Sequence, residues 1–417
     1  MRSQRSFTAA LLHFVLFSVC LWAGTANAAG KRITVLYSFT GLADGGFPIA
    51  GLTLHAGALY GTTTAGGNFQ ACNEGGTCGL VYKLAPSSTG LWTETPIYDF
   101  QFQDPSSPYS NLVFDRQGNI YGAAQPGTSG EAGIFQLTLS GGTWTLNSIY
   151  SAGGETPLFE TVSGRTNMFV IGAGTCCGSV VELSPQPNGA WNPTTLYAFA
   201  GGNDGNEPKA GVVADSAGNL YGSTIYGGNS NCGTVFELSP QSGGNWSEMI
   251  LHSFTVSEGC YPGAGIVLDR KGNIYGTTVS GGSGCAPNGC GVVFELTPPT
   301  AKGGTWTESV IHSFDNTDGS SLQAGLTISS TGVLYGTTTA GGSGPCLPAG
   351  AGCGTVFRLT PPAMLGGSWT HRFVSFYGPN GQQPLCTLLL DESSNVLYGT
   401  TRAGGAYGFG TVFRVLF

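Results

Sequence analysis

The sequence predicts an all-β protein, a seven-bladed β-propeller of four-stranded blades, closed by its N-terminal strand pairing with the last blade. Three observations predict it. One phrase recurs seven times along the chain. Each full copy holds four short apolar runs, rich in β-branched and aromatic residues and bounded by Gly, Asn, Asp or Pro. The last copy lacks a fourth run, and a spare run of that type stands near the N-terminus.

The phrase reads Asn-Leu-Tyr-Gly-Thr-Thr, a Gly-rich loop, Gly-Thr-Val-Phe-Glu-Leu, a Gly-x-Trp turn, then Leu-Tyr-Ser-Phe. Its Tyr-Gly step falls at Tyr60, Tyr121, Tyr221, Tyr275, Tyr335 and Tyr398, with a degenerate copy through Met168-Phe169-Val170. The third run opens at Gly79, Gly133, Gly178, Gly233, Gly291, Gly354 and Gly410. Trp92, Trp144, Trp191, Trp246, Trp306 and Trp369 mark the turn that follows. No segment of useful length has helical periodicity, and four-stranded units repeating at this scale are the mark of propeller blades.

In the fourth copy the expected strands are Ala210–Ala214, Asn219–Thr224, Gly233–Leu238 and Trp246–Phe254. Asp215-Ser-Ala-Gly218-Asn219 between the first two is a tight turn built from residues with permissive backbones. The final copy stops at Phe417 after its third run. Ile33-Thr-Val-Leu-Tyr-Ser-Phe39 matches the fourth, so it is expected to pair with Thr411–Val415 and remove an exposed sheet edge.

The N-terminus reads as a leader. Arg2 and Arg5 precede an apolar run from about Phe7 to Trp22, and Ala26-Asn27-Ala28 supplies a small-residue cleavage site. The expected domains are a signal peptide over residues 1–28 and one propeller over 29–417, secreted, periplasmic or at the cell surface. No later stretch is apolar enough to cross a bilayer. Charged residues are 9% of the chain, and loss of Arg2 and Arg5 leaves 13 basic against 23 acidic side chains. Nothing basic is clustered, so nucleic acid is not an expected partner. A monomer is expected.

Export permits disulfides. Cys72/Cys78, Cys285/Cys290 and Cys346/Cys353 each sit in the Gly-rich loop of their copy, so short loop-closing bridges are expected. Zinc is the rival, but these loops carry no histidine. Cys232 and Cys260 form the best remaining couple, leaving Cys176, Cys177 and Cys386 unassigned.

These repeats resemble the bacterial GloVer-type tandem repeat proteins, whose unit carries the Leu-Tyr-Gly-Thr-Thr … Gly-Thr-Val-Phe core. The resemblance covers nearly all of the chain after the leader. It implies export, often with a C-terminal sorting anchor that the run to Phe417 does not match. It implies no particular activity.

Residues required in every blade pack blade against blade, which is the expected role of the recurring Tyr, Phe and Trp. The glycine after each Tyr lets a neighbouring ring approach. A second recurring feature is an acidic residue in the loop before each first strand: Asp44, Asp104, Glu155, Asp204, Glu258 and Asp318, with Asn380 in the last copy. Six carboxylates around one mouth of a central channel could bind polar sugars or hold calcium; no cofactor is otherwise expected. The plainer reading is that Asp-Gly makes a good turn. Asp315-Asn-Thr-Asp318 is only the start of a calcium-loop pattern. The Gly-x-Trp turns lack the aspartate of Asp-box hairpins.

His252 and His312 replace the Tyr of other fourth strands and are expected to be structural. His55 and His371 are isolated. No hydrolase elbow, metalloprotease helix, phosphate loop or dinucleotide fingerprint is present. The expected function is an exported non-catalytic module binding extracellular polysaccharide, envelope material or a protein partner, because near-equivalent blades argue against one specialised site. The alternative is a glycan-active lyase or hydrolase. Its site would lie in the degenerate third blade, near Glu160, Arg165, Cys176 and Cys177, or at the acidic rim.

Overall fold

Each Tyr-Gly-Thr strand pairs with the following Gly-Thr-Val-Phe strand so that the glycine lies opposite an aromatic ring. The pairs are Gly61 with Tyr82, Gly122 with Phe135, Gly222 with Phe236, Gly276 with Phe294, Gly336 with Phe357 and Gly399 with Phe413. The ring lies over the glycine: a Cβ on Gly276 would sit 2.4 Å from the Phe294 ring and one on Gly399 2.6 Å from Phe413. Only glycine admits this contact, and the covering aromatic compensates for the side chain the strand lacks.

The same ring reaches into the preceding blade. Phe254, at the end of blade 4, meets Phe294 of blade 5 edge to face at 4.9 Å between centroids. Five other junctions repeat the pair at 5.0–5.2 Å: Phe39–Tyr82, Phe100–Phe135, Phe199–Phe236, Phe314–Phe357 and Phe376–Phe413. All twelve of these rings are at most 2% exposed. Four tryptophans act in the same sense, each against a second-strand ring of the blade before it: Trp92 on Tyr398, Trp191 on Tyr121, Trp246 on Phe169 and Trp369 on Tyr275.

The computed structural model describes residues 33–67, 78–101, 104–125, 133–151, 157–162, 165–172, 176–301, 303–346, 351–364 and 366–417. The leader segment, Cys72 and Glu155 lie outside them. The described strands form seven antiparallel sheets in a ring, the β-propeller that the repeats predict. Blade 1 runs Thr53–His55, Ala58–Thr63, Leu80–Pro86 and Trp92–Asp99 from axis to rim. Blades 2 to 6 repeat that order, and no α-helix occurs among the described residues.

Blade 7 takes Leu389–Asp391, Val396–Thr401 and Thr411–Val415 from the C-terminus and Ile33–Ser38 from the N-terminus. The closing strand is antiparallel to its partner, with Ile33 opposite Val415 and Ser38 opposite Thr411. Side chains carry the closure inward, where the Thr400 hydroxyl donates to the Ala50 carbonyl of blade 1 at 2.7 Å. The equivalent bond recurs from Thr277 to Ala324 and from Thr337 to Cys386. This explains the threonine of the repeat.

The first strands are shorter than the sequence predicts. Blade 4 pairs only Val213–Ala214 of the expected Ala210–Ala214, and blades 2, 5 and 6 likewise keep two residues. Crowding at the axis is the cause. A Cβ on Gly51 would fall 2.4 Å from the Thr387 carbonyl of the neighbouring blade, so these segments run side by side instead of extending their sheets.

Disulfides join Cys232 to Cys260, Cys285 to Cys290 and Cys346 to Cys353, as expected. Cys78 is also disulfide-bonded. The Cys232–Cys260 bridge links the loop before the third strand of blade 4 to the connection entering blade 5. Cys176, Cys177 and Cys386 are free thiols. No helix among the described residues is long and apolar enough to cross a membrane.

Deleting residues 33–38 is expected to leave a chain that elutes as aggregate and loses its cooperative thermal transition. A monomeric truncated protein with an unchanged melting temperature would contradict the closure.

Candidate ligand face and blade-junction clusters

The connection from each fourth strand to the next first strand carries the repeated acid, and the structure shows what holds it. Asp44 accepts hydrogen bonds from the Tyr37 hydroxyl and the Thr40 N–H, both at 2.9 Å. Asp104 accepts from Tyr98 and the Gln101 N–H, both at 2.8 Å. Asp204 takes Tyr197 and the Ala200 N–H, both at 2.6 Å. Glu258 takes the Thr255 N–H at 3.1 Å and its hydroxyl at 2.8 Å, with His252 Nε2 3.6 Å away. Asp318 takes the Asp315 N–H at 3.1 Å and lies 2.7 Å from His312 Nε2. Asn380 reproduces the backbone half of the motif by accepting from the Tyr377 N–H at 2.7 Å.

The glycine after the acid is needed for its backbone. Gly45, at φ +85°, would drive a Cβ to 2.3 Å from the Thr63 hydroxyl. The five described carboxylates thus sit against the outermost strands, and none of them lines the central cavity. Asp315 is committed to its own turn, bonded by the Thr317 N–H and hydroxyl.

A further partner approaches from the next blade. Glu94, Glu248 and Glu308 occupy the second place after Trp92, Trp246 and Trp306 and face Asp44, Asp204 and Glu258 respectively. Burial, then the neighbouring carboxylates, pushes Glu94 up to about 8 and Glu248 and Glu308 up to about 7. One oxygen of each is buried without a hydrogen-bond partner. Tyr37 and Tyr197, at the same junctions, are pushed upward by burial and by their bonds to Asp44 and Asp204.

At the junction of blades 5 and 6 the second place after Trp369 is His371. Its ring stacks on His312 at 3.9 Å and its Nδ1 lies 3.5 Å from Asp318 Oδ2. Burial, with His312 alongside, lowers His371 to about 4, so its contact with Asp318 is not an ion pair at neutral pH. Sequence reading missed this meeting of His312, Asp318 and His371. Aligning fourth strands on their tryptophans, rather than seeking nearby histidines, finds it. His55 stacks flat on Phe114 at 4.0 Å, a packing role.

The central cavity has a volume of about 930 Å³ and is lined by the segments entering the first strands. Its wall is mostly Gly, Ala and aliphatic residues, with Asn111, Gln125, Gln323 and Thr387 among its polar groups and Lys209 as the one charged residue among the described lining. Just before these segments stands a repeated residue with a left-handed backbone: Phe47, Ser107, Glu207, Tyr261, Ser321 and Gln383, at φ +50° to +64°. Each donates its N–H to a carbonyl of the preceding blade, from Phe47 to Phe409 and from Tyr261 to Cys232, for example. The backbone bond persists while the side chain varies from blade to blade. Tyr261 is exposed and meets exposed Tyr226 edge to face at 5.4 Å.

In the third blade Glu160 lies opposite Asn167 and Arg165 opposite Val162. Cys176 is exposed and Cys177 half-buried. The Phe pair is missing here because Val181 stands where the other third strands carry a ring.

A seven-bladed ring of repeated four-stranded sheets around a small-residue axis defines a β-propeller of tandem repeats. The chain belongs to the Gloeobacter/Verrucomicrobia repeat family, whose model matches residues 24–175 and 168–364. No curated protein matches it. Among solved structures it is similar to the polysaccharide lyase Uly1, at 10% identity, 96% of this chain, 95% of that chain and a TM-score of 0.53. It is also similar to an ancestral GH74 enzyme, at 10% identity, 92% of this chain, 48% of that one and a TM-score of 0.55. A Mycobacterium tuberculosis puromycin-hydrolyzing peptidase matches at 9% identity, 92% and 54% coverage and a TM-score of 0.56. The chain therefore spans about half of the latter two. At these identities the likeness is one of fold, which hosts many functions.

The raised carboxyls set a pH dependence. A carboxyl whose pKa is higher folded than unfolded stabilises the fold fully below its unfolded value, and that contribution is lost as pH rises through the folded value. Melting temperature is therefore expected to fall between about pH 5 and pH 9, with Glu94→Gln and Glu248→Gln each flattening the fall and melting above the parent at pH 9. An unchanged slope in both variants would contradict this assignment.

Proposed function

We propose that the protein is an exported, non-catalytic propeller that binds an extracellular polysaccharide across the face where its central cavity opens. The observation that carries this reading is the exposed Tyr226–Tyr261 pair, whose Tyr261 stands two residues before Gly263 on the cavity wall. Exposed paired aromatic rings offer flat faces for the C–H surface of a sugar, and the amides of Asn111, Gln125 and Gln323 offer donors and acceptors to its hydroxyls. Lys209 favours a sugar bearing carboxylate or sulfate. Asp44, Asp104, Asp204, Glu258 and Asp318 serve, in this reading, to fix the connections that present the face. The leader-type N-terminus and the three described disulfides support export.

The test is depletion of the mature protein by a panel of neutral and acidic polysaccharides, with new reducing and unsaturated ends scored in the same tube. Retention without product is expected. Tyr261→Gly is expected to weaken it about tenfold, the equivalent of ~1.4 kcal/mol. Glycine relieves the left-handed backbone at φ +64°, so this variant keeps the fold and its melting temperature. Product formation would replace binding by catalysis, and retention unchanged by Tyr261→Gly and Lys209→Glu would remove the site from this face.

A further inference from the structure

We propose that His312, Asp318 and His371 form a zinc site that clamps blade 5 to blade 6. His312 lies on the fourth strand of blade 5, Thr307–Ser313, and His371 on that of blade 6, Thr370–Ser375. Asp318 belongs to the connection between the blades. Among the described residues this is the one group of three or more such side chains whose donor atoms lie within 4.8 Å of one another.

The geometry suits a small tetrahedral ion. Bonds of about 2.0–2.2 Å at tetrahedral angles place ligand atoms roughly 3.3–3.5 Å apart. Here Asp318 Oδ2 lies 2.7 Å from His312 Nε2 and 3.5 Å from His371 Nδ1, with all three donor atoms within 4.8 Å of one another, so the His312–Asp318 spacing opens by about 0.6–0.8 Å to admit the ion. Asp318 Oδ1 already accepts the Asp315 N–H, which fixes the carboxylate and leaves Oδ2 for the ion. The three side chains are 22%, 14% and 15% exposed, enough for an ion to enter and for water to complete the shell. Two imidazoles with one carboxylate are borderline donors that select zinc over calcium, which requires six to eight oxygens.

The sister junctions supply the contrast. Where Tyr37, Tyr98 and Tyr197 stand in place of His312, a phenol donates to the acid. Where Glu94 and Glu248 stand in place of His371, a carboxyl faces that acid. Only the junction of blades 5 and 6 brings two imidazoles to one carboxylate oxygen among the described residues. Metal bound there links two rim strands of blades that otherwise meet through packing and through hydrogen bonds such as Thr277 to Ala324, and binding to the folded form alone raises its stability.

The experiment uses the mature protein with Cys176→Ser and Cys177→Ser, stripped by chelator, so that exposed thiols are not counted. Zinc is titrated against a chromophoric chelator and thermal melts are recorded with zinc, with calcium and without metal. One zinc per chain is expected, with a rise in melting temperature of several degrees that calcium does not produce. H312Y and H371L place at the site residues that sister blades carry there, Tyr197 and Leu146, so both are expected to fold. Each is expected to weaken zinc at least tenfold and to abolish the rise. No zinc bound by the parent, equal binding by both variants, or an equal rise with calcium would overturn the proposal.

Discussion

The contact on which the rest of this structure depends is an aromatic ring lying over a glycine of its own blade while its edge meets a ring of the blade before. Phe294 illustrates it, over Gly276 and against Phe254. One residue thereby fixes the spacing within a sheet and the packing between sheets. Removing such a ring costs about 3–5 kcal/mol through lost transfer energy and the cavity left behind. Six junctions carry the pair, and the threonine beside the glycine adds a hydrogen bond to the next blade at several of them. The seventh junction, between blades 2 and 3, has Val181 instead. There Tyr121 meets Phe159 at 4.8 Å and Trp191 at 6.2 Å, so a different aromatic cluster fills the gap.

With that lattice satisfied by few residue types, the loops are free to differ. The acid of each described connection is tied by a backbone N–H, and at Asp44, Asp104, Asp204 and Asp318 by a phenol or imidazole of its own blade as well. It holds the connection in place, and the left-handed residue three positions later bonds across the junction. What these tethers carry varies: phenyl at 47, hydroxyl at 107 and 321, carboxylate at 207, phenol at 261, amide at 383. A fixed frame displaying variable side chains around a small-residue axis is what a recognition surface requires. The same tethering concentrates titratable groups at the rim, where Glu94 and Glu248 are pushed toward neutrality and His312 and His371 meet across a junction.

Much of the fold was legible because its determinants are local and repeated. The seven Gly-Thr-Val-Phe steps, the spare strand at Ile33–Phe39 and the cysteine pairs each follow from short segments compared with one another. The first strands were over-extended in the reading because pattern alone does not register how closely Gly51 and Thr387 approach at the axis. The acids were found, but their placement against the rim strands depends on Tyr37, Tyr98 and Tyr197, whose hydroxyls point to them. His371 looked isolated because its partners lie 53 and 59 residues earlier and meet it only across a junction. The cavity wall has no motif at all, since small residues such as Ala210 and Gly211 serve there through their backbones.

The most direct test of the central contact is a double-mutant cycle on Gly276 and Phe294, read by equilibrium unfolding. Gly276→Ala alone is expected to cost about 1–3 kcal/mol, because its methyl group collides with the Phe294 ring. In a Phe294→Leu background the collision is relieved and the same substitution is expected to cost little, giving a coupling well beyond the ~0.3–0.5 kcal/mol scatter of independent sites. If Gly276→Ala costs the same in both backgrounds, the ring does not lie over the glycine in the way the account requires.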